Sequence, residues 1–328
     1  MMSGNKNNFN IKELAKLLLS KREAGVFIAF IIISVFFIIQ SPAFLTSRNL
    51  LNVMRQTSQL GIVVAFVTIL IISSEFDLSV GAVFAFSGVF MGFITTELGL
   101  TPWVALPLSI LVCSLFGLVN GTISVYLKVP SFITTLGTSM VIRGLALYVS
   151  GGRPVSGNIT ETFYLITGGR LWNFISSPIL WFLGAMILGG FILQKTVFGY
   201  MVFATGGNEK AAHFAGIPTK KIKIIAFVLT AAAAALSGGI ALSYLGSATP
   251  TQGTGMELDA IAATVIGGTA LMGGSGSMLG AFLGVLIMAI VRNGLVLLGA
   301  GPFMQDLLIG IIIVFAVIIN VQLLQRSE

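Results

Sequence analysis

Charged residues and cysteines are scarce in this chain. Only 9% of its 328 residues are charged, against about 25% in ordinary soluble domains. This scarcity excludes a water-soluble globular protein, and a hydrophobic content of 56% excludes intrinsic disorder. Cys113 is the sole cysteine, so the chain can form neither an internal disulfide nor a cysteine-based metal cluster.

The sequence also lacks the motifs of hydrolytic and nucleotide-binding sites. There is no GxxxxGK[ST] phosphate loop, and the glycine-rich stretch 273–277 has no lysine, which favours a tight turn between two helices. His213 is the single histidine and lies in a basic, polar stretch. It is not next to a serine or carboxylate within an apolar segment. We therefore expect no catalytic, cofactor or metal site and a chain that is not an enzyme.

Long apolar runs make up most of the chain, and its mean hydropathy is +1.01. Because a bilayer core of about 30 Å takes roughly 20 apolar residues in a helix, uncharged stretches can be counted as spans. The count predicts an all-α polytopic membrane protein with about ten transmembrane helices. The predicted spans are 25–40, 58–73, 78–95, 102–127, 130–150, 178–194, 223–245, 258–273, 276–299 and 304–324.

The position of the basic residues predicts the orientation. The net charge is +7, but lysines and arginines crowd before the first span and between residues 195 and 223. Such clusters are typical of cytoplasmic flanks and argue against nucleic acid as a partner. We expect a cytoplasmic segment at 1–24, one transmembrane domain at 25–324 with a cytoplasmic loop at 195–222, and a cytoplasmic tail at 325–328. The first apolar run is interpreted as a retained anchor, not a cleaved signal peptide.

Small residues at four-residue spacing predict close helix packing. The repeated positions are Gly88 and Gly92, Gly117 and Gly121, and Gly276, Gly280 and Gly284. Such spacing lets two helices approach closely, so we predict a tightly packed bundle and draw no dimer interface from it.

Four carboxylates lie beside apolar segments: Glu75, Asp77, Glu257 and Asp259. Charged groups near membrane depth usually line a cavity or pair with a partner. Asp77 and Ser79 are typical of a helix N-cap. Asp259 similarly indicates the start of a half-helix. The two ExD elements therefore predict broken or re-entrant helices whose ends face a central pathway, and they hint at an internal duplication.

Arg143 and Arg292 fall within predicted spans. Either pairing inside the bundle or snorkelling to an interface fits the sequence, and a lipid-facing position fits neither arginine.

The loop from 206 to 223 has a helix signature of its own. Glu209 to Ala212 form a good helix start, and Gly216 followed by Pro218 gives a sharp stop. A short helix between basic flanks suits docking onto another protein. A solvated helix without a partner is the alternative.

These segments together resemble the permease subunits of ribose-type ATP-binding-cassette importers, within the branched-chain amino acid and ribose permease superfamily. The resemblance runs from Phe44 to the last helix. Its most specific pieces are DLSVG at 77–81, PSFITTLG at 130–137 with Arg143 and Gly144, GGNEKAAHFAGI at 206–217, and GMELDAIAA at 255–263 followed by IGGT at 266–269.

The resemblance implies a permease of the bacterial cytoplasmic membrane that carries a monosaccharide or related polyol by alternating access. Its implied partners are a second permease subunit, two cytoplasmic ATPase domains that bind the ATP, and an extracytoplasmic sugar-binding protein. The 206–217 loop would be the ATPase-coupling element, in which Ala211, Ala212 and Gly216 have to stay small. The coupling residues so implied are Gly207, Asn208, Glu209, Ala211, Ala212, Gly216 and Ile217.

Glu75 departs from the family pattern, which commonly has a small or neutral residue there. We consider pairing with Arg143 or Arg292, a position at the cytoplasmic interface, and an effect on substrate preference. A proton- or sodium-coupled carrier, in which Glu75 and Glu257 titrate or bind the ion, is the rival hypothesis. A receptor or scaffold is disfavoured because no sizeable soluble domain is present.

Overall fold

The computed structural model describes residues 22–171 and 175–325, so most of the predicted segment 1–24 and residues 326–328 of the predicted tail lie outside the described residues. The helices are α1 (Arg22–Gln40), α2 (Ser47–Ile72), α3 (Val80–Thr96), α4 (Pro102–Tyr126), α5 (Ser131–Ser150), α6 (Glu161–Thr167), α7 (Ser177–Lys195), α8 (Val197–Gly207), α9 (Glu209–Phe214), α10 (Thr219–Leu245), α11 (Met256–Ile266), α12 (Met278–Leu297) and α13 (Pro302–Gln325). Short antiparallel strands pair β1 (Val155–Ser156) with β4 (Ser247–Ala248), and β2 (Arg170–Leu171) with β3 (Ile175–Ser176).

The predicted all-α polytopic membrane class is confirmed. Among the described residues, six helices are long and apolar enough to cross a membrane: α2, α4, α5, α7, α10 and α12. Shorter apolar stretches of 10–17 residues lie in α1, α3, α8 and α13. The figure of about ten crossings stays a prediction.

The span predicted at 258–273 is helical only as far as Ile266. Gly268 follows with a φ of +87°, a left-handed conformation that favours glycine and ends the helix. The 11 residues of α11 extend about 16 Å, roughly half of a bilayer core. α11 is therefore a half-helix, and the rest of the predicted span is turn.

Two helices form the centre of the bundle. α10 packs against α2, α3, α4 and α8, and the most apolar windows of α2 and α10 are 78% and 67% buried. α5 lies at the periphery and exposes large apolar side chains such as Met140 and Tyr148. An apolar outer face is expected where lipid or another subunit replaces water.

Five of the seven repeated glycines lie at close helix contacts, as predicted, whereas Gly92 meets β1 and Gly276 lies in a turn. A Cβ on Gly280 or Gly284 would overlap the carbonyl oxygens of Gly267 and Ala263, so these two glycines let α12 lie directly against α11. A Cβ on Gly117 of α4 would similarly press on the Phe227 carbonyl of α10.

The bundle has two distinct ends. At one end β1 and β4 pair beside the last turns of α3, where Gly92 touches Val155. At the other end the last residues of α8, directly before α9, lie against the end of α2 and the turn between α11 and α12, where the Gly274 N–H donates to the Ile72 carbonyl at 2.8 Å. We name these the β1–β4 end and the α9 end. The glycine-rich stretch 273–277 is the predicted turn between two helices.

Candidate functional site: a broken helix and a surface helix

The segment between β4 and α11 runs down the side of α3. Gly88 of α3 contacts Ala248, and Gly81, two turns earlier, contacts Gly253. Because α3 rises 1.5 Å per residue, the segment descends about 10 Å from the β1–β4 end. Gly253 and Gly255 then turn the chain, with φ of +72° and +84°, and α11 begins inside the bundle. α11 then runs on to the α9 end, so the chain crosses the bundle partly in extended form and partly as a half-helix. Of the broken and re-entrant forms that the sequence allowed, α11 is the broken one.

Arg143 of α5 holds the segment between β4 and α11 in place. Its Nη1 donates to the carbonyl oxygens of Pro250 and Gln252 at 2.9 and 3.0 Å. Of the two placements the sequence left open, Arg143 takes the one inside the bundle. Its partners are backbone carbonyls, which no charge pattern in the sequence signals.

A cavity lined by both polar and apolar side chains opens beside the start of α11. Its volume is about 390 Å³, within the range of small-molecule sites, and Gln56 and Asn293 line it together with Asp259 and Arg292. Arg292 Nη2 donates to both carboxylate oxygens of Asp259 at 3.0 and 3.2 Å, which settles the Arg292 alternatives in favour of an ion pair. Asn293 is fixed by reciprocal amide hydrogen bonds of 2.9 Å with Asn49. The arrangement offers amide and charged groups suited to hydroxyl-bearing solutes.

The five predicted pathway residues divide into two groups. Asp259 lines the cavity, and Glu257 lies nearby, where its Oε1 accepts a bond of 3.3 Å from the Gly255 N–H and its side chain faces Gly81. Glu75, Asp77 and Ser79 lie in the α2–α3 connection, which leaves α2 at the α9 end.

Asp77 supports the start of α3 without capping it directly. The N-cap residue is Ser79, and Asp77 Oδ1 accepts from the Ser79 N–H at 2.7 Å and from its hydroxyl. Asn120 of α4, which the sequence did not single out, donates to Ser79 Oγ at 3.0 Å. All three side chains are buried, with Asp77 2% exposed. An asparagine within an apolar span was the available signal for this contact.

The same connection is bonded to the start of α5. The Phe76 N–H donates to Ser131 Oγ at 3.2 Å, and the Leu78 N–H donates to Thr135 Oγ1 at 2.9 Å. These bonds tie residues 76–78 to the PSFITT segment, so the connection and α5 are fixed to each other.

The predicted helix in the polar loop is confirmed as α9. Asn208 is its N-cap, and its side chain accepts from the Ala211 N–H at 3.0 Å. Phe214, at the end of α9, is 89% exposed, and the lysines of α9 and its flanking segments are exposed as well: Lys195, Lys210, Lys220 and Lys221. The helix therefore presents one large apolar side chain within a basic surface.

The structure gives two of the residues expected to stay small reasons of their own, and their role against a partner stays a prediction. Ala212 is only 5% exposed, because it packs inside the loop instead of facing outward. A Cβ added at Gly216 would have nothing within 4 Å, and its φ of +84° is what favours glycine there. Ala211 is exposed on α9, as are Gly207, Asn208 and Glu209, whereas Ile217 is half-buried.

Glu75 pairs with neither Arg143 nor Arg292. Its Oε1 lies 2.8 Å from Lys223 Nζ of α10, and the same ammonium lies 2.7 Å from Glu209 Oε2 of α9. The sequence counted Lys223 only as one member of a basic cluster, so this link between three elements was missed. Within the described ranges 22–171 and 175–325, no group of three or more His, Cys, Asp or Glu side chains is placed to hold a metal ion.

Comparison with known proteins supplies the context for these features. Residues 49–317 match the family described as branched-chain amino acid transport system / permease component. The chain is 39% identical over 307 residues to the probable ABC transporter permease protein YphD of Escherichia coli K12, covering 93% of this chain and 91% of that protein. It is 38% identical to the ribose import permease protein RbsC of Bacillus subtilis 168, covering 90% of each.

A third relative is the L-arabinose transport system permease protein AraH of Escherichia coli K12, with 36% identity over 90% of this chain and 89% of that protein. No solved structure is significantly similar to the chain.

Proposed function

The chain belongs to the ribose-type permeases of the branched-chain amino acid transport system permease family, and from this membership we propose that it is the membrane-spanning subunit of a sugar importer powered by separate ATPase subunits. The proposed cargo is a monosaccharide or related polyol, because relatives bear the names of ribose and L-arabinose permeases. The chain itself would carry no catalytic group.

The observation that carries this proposal is the exposed helix α9. In the proposed complex it inserts into a cytoplasmic ATPase domain, with Phe214 as the apolar anchor and the surrounding lysines as a polar rim. Large apolar side chains at the centre of a contact commonly dominate its energy. The exposed lysines around α9 also favour a cytoplasmic position for this end of the bundle.

The cavity beside Asp259 is the proposed contact region for the sugar. Amide side chains and the Asp259–Arg292 pair supply both donors and acceptors, which neutral polyhydroxylated solutes need. In the proposed cycle, ATP binding and hydrolysis in the partner subunits switch the bundle between two packings that expose this region to opposite sides of the membrane. A second permease subunit and an extracytoplasmic sugar-binding protein complete the proposed importer in the bacterial cytoplasmic membrane.

Copurification tests the docking step. The tagged protein is extracted from its native membrane in mild detergent, its partners are identified by mass spectrometry, and ATP hydrolysis is assayed in the eluate. We expect an ATPase subunit to copurify with the parent protein and to be lost with Phe214→Ala.

Phe303→Ala is the matched control. Phe303 is 90% exposed and lies at the start of α13, which follows the last turn of α12 at the opposite end of the bundle. It should leave the ATPase bound. Equal ATPase recovery from Phe214→Ala and the parent protein would contradict docking at α9.

A further inference from the structure

Three elements at the α9 end share one partly buried ion-pair cluster. Lys223 Nζ lies 2.8 Å from Glu75 Oε1 and 2.7 Å from Glu209 Oε2. Glu75 belongs to the α2–α3 connection, Glu209 is the first residue of α9, and Lys223 lies in the second turn of α10. A single ammonium group therefore bridges α9 to the connection.

The burial of the three groups is unequal. The side chains of Lys223 and Glu75 are 8% and 13% exposed, whereas that of Glu209 is 49% exposed. Lys223 also lies near the N-terminus of α10, where the helix dipole disfavours a cation. A buried lysine in such a position needs a carboxylate partner, and Glu75 is the partner that water screens least.

The connection that holds Glu75 is fixed to the rest of the bundle on both sides. Ser74 Oγ donates to the Gly206 and Met272 carbonyls at 3.0 and 2.7 Å, which joins it to α8 and to the turn before α12. On the other side, residues 76–78 are bonded to the start of α5 through Ser131 and Thr135. A displacement of α9 that moves Lys223 would therefore reach α5 through Glu75.

We propose that Glu75 and Lys223 are positioning residues that transmit movement of α9 to the α2–α3 connection and α5. This inference rests on the proposed function, because it takes α9 as the place where the ATPase acts. It gives Glu75, the residue that departs from the family pattern, a role in coupling instead of in substrate choice or ion binding.

The test measures coupling in the complete importer. The copurified complex with its sugar-binding protein is reconstituted in proteoliposomes, and ATP hydrolysis is measured beside import of radiolabelled D-ribose and L-arabinose. Glu75→Gln and Lys223→Met should keep the ATPase bound and active, while the sugar imported per ATP falls by about tenfold or more.

Two controls separate coupling from folding. Lys223→Arg keeps a cation with several donors and should restore the ratio. Glu97→Gln removes an exposed carboxylate at the end of α3, which forms no ion pair among the described residues, and should change nothing. A merely structural ion pair would lower thermal stability in Glu75→Gln but leave the sugar imported per ATP unchanged, and that result would overturn the proposal.

A second readout needs no sugar. The rate at which a maleimide labels a cysteine introduced at Thr138 of α5 is compared with and without ATP and vanadate. We expect the nucleotide to change the rate in the complex that carries Thr138→Cys alone, and to have no effect once Glu75→Gln is added. An equal nucleotide response in both would overturn the inference, whereas a complex that lacks an ATPase would instead contradict the proposed function.

Discussion

Replacing Arg143 should release the segment that precedes α11. Arg143→Met removes both hydrogen bonds to Pro250 and Gln252 and leaves two carbonyls without these donors. A hydrogen bond from a charged donor contributes about 1.5–3 kcal/mol, and we use the lower value because Arg143 is only half-buried. The two bonds together then stabilise the segment by about 3 kcal/mol.

A loss of that size changes a local opening equilibrium by about 100-fold. Hydrogen exchange followed by mass spectrometry reads it directly, because the Gln252 N–H donates to the Thr249 carbonyl and the Met256 N–H donates to the Gly253 carbonyl inside the segment. We expect peptides covering 249–256 to exchange about 100-fold faster in Arg143→Met and to recover partly in Arg143→Lys, which keeps one charged donor group.

Arg153→Met is the control, since Arg153 is exposed in the loop after α5. It should leave exchange in this segment unchanged. Exchange in Arg143→Met at the parent rate would refute the argument that Arg143 fixes the segment before α11.

Three further predictions concern packing and backbone. Gly284→Ala should lower the stability of the detergent-solubilised protein by about 1–3 kcal/mol, because its Cβ meets the Ala263 carbonyl. Gly144→Ala, with open space around it, should be neutral or stabilising by up to about 1 kcal/mol, so equal thermal unfolding of the two variants would contradict the helix contact. Ala212→Arg should abolish transport, because a charged side chain at the buried position 212 unfolds the loop around it. Limited proteolysis should then cleave the chain faster between α8 and α10, and an unchanged cleavage rate would contradict this. Gly216→Ala should lower the free energy of unfolding by about 1 kcal/mol, because an alanine is strained in the left-handed backbone conformation of Gly216. Gly207→Ala, compared with it by thermal unfolding, should lower the free energy of unfolding less.

Much of the fold follows from hydropathy, because long uncharged runs satisfy their backbone hydrogen bonds as helices. Each predicted span overlaps a helix, and the helix start at Glu209 was predicted from the residues 209–212. The end of α11 was missed, since an apolar count cannot see that Gly267 and Gly268 end the helix at Ile266.

The candidate site was less predictable because its contacts join distant parts of the chain. The sequence singled out Asp259 and Arg292 separately, but their pairing needs the packing of α11 against α12. Lys223 was hidden in a basic cluster that the positive-inside rule already explained. The roles of Ala212 and Gly216 depend on burial and backbone conformation, and neither is readable from residue size.

Sugar import into proteoliposomes that contain the copurified complex tests the energy source most directly. Uptake of D-ribose and L-arabinose is measured with ATP on the α9 side, with and without collapse of the proton and sodium gradients. An importer powered by partner ATPases should take up sugar only with ATP and should be indifferent to the gradients. Uptake driven by an ion gradient without ATP would contradict it and would favour an ion-coupled carrier.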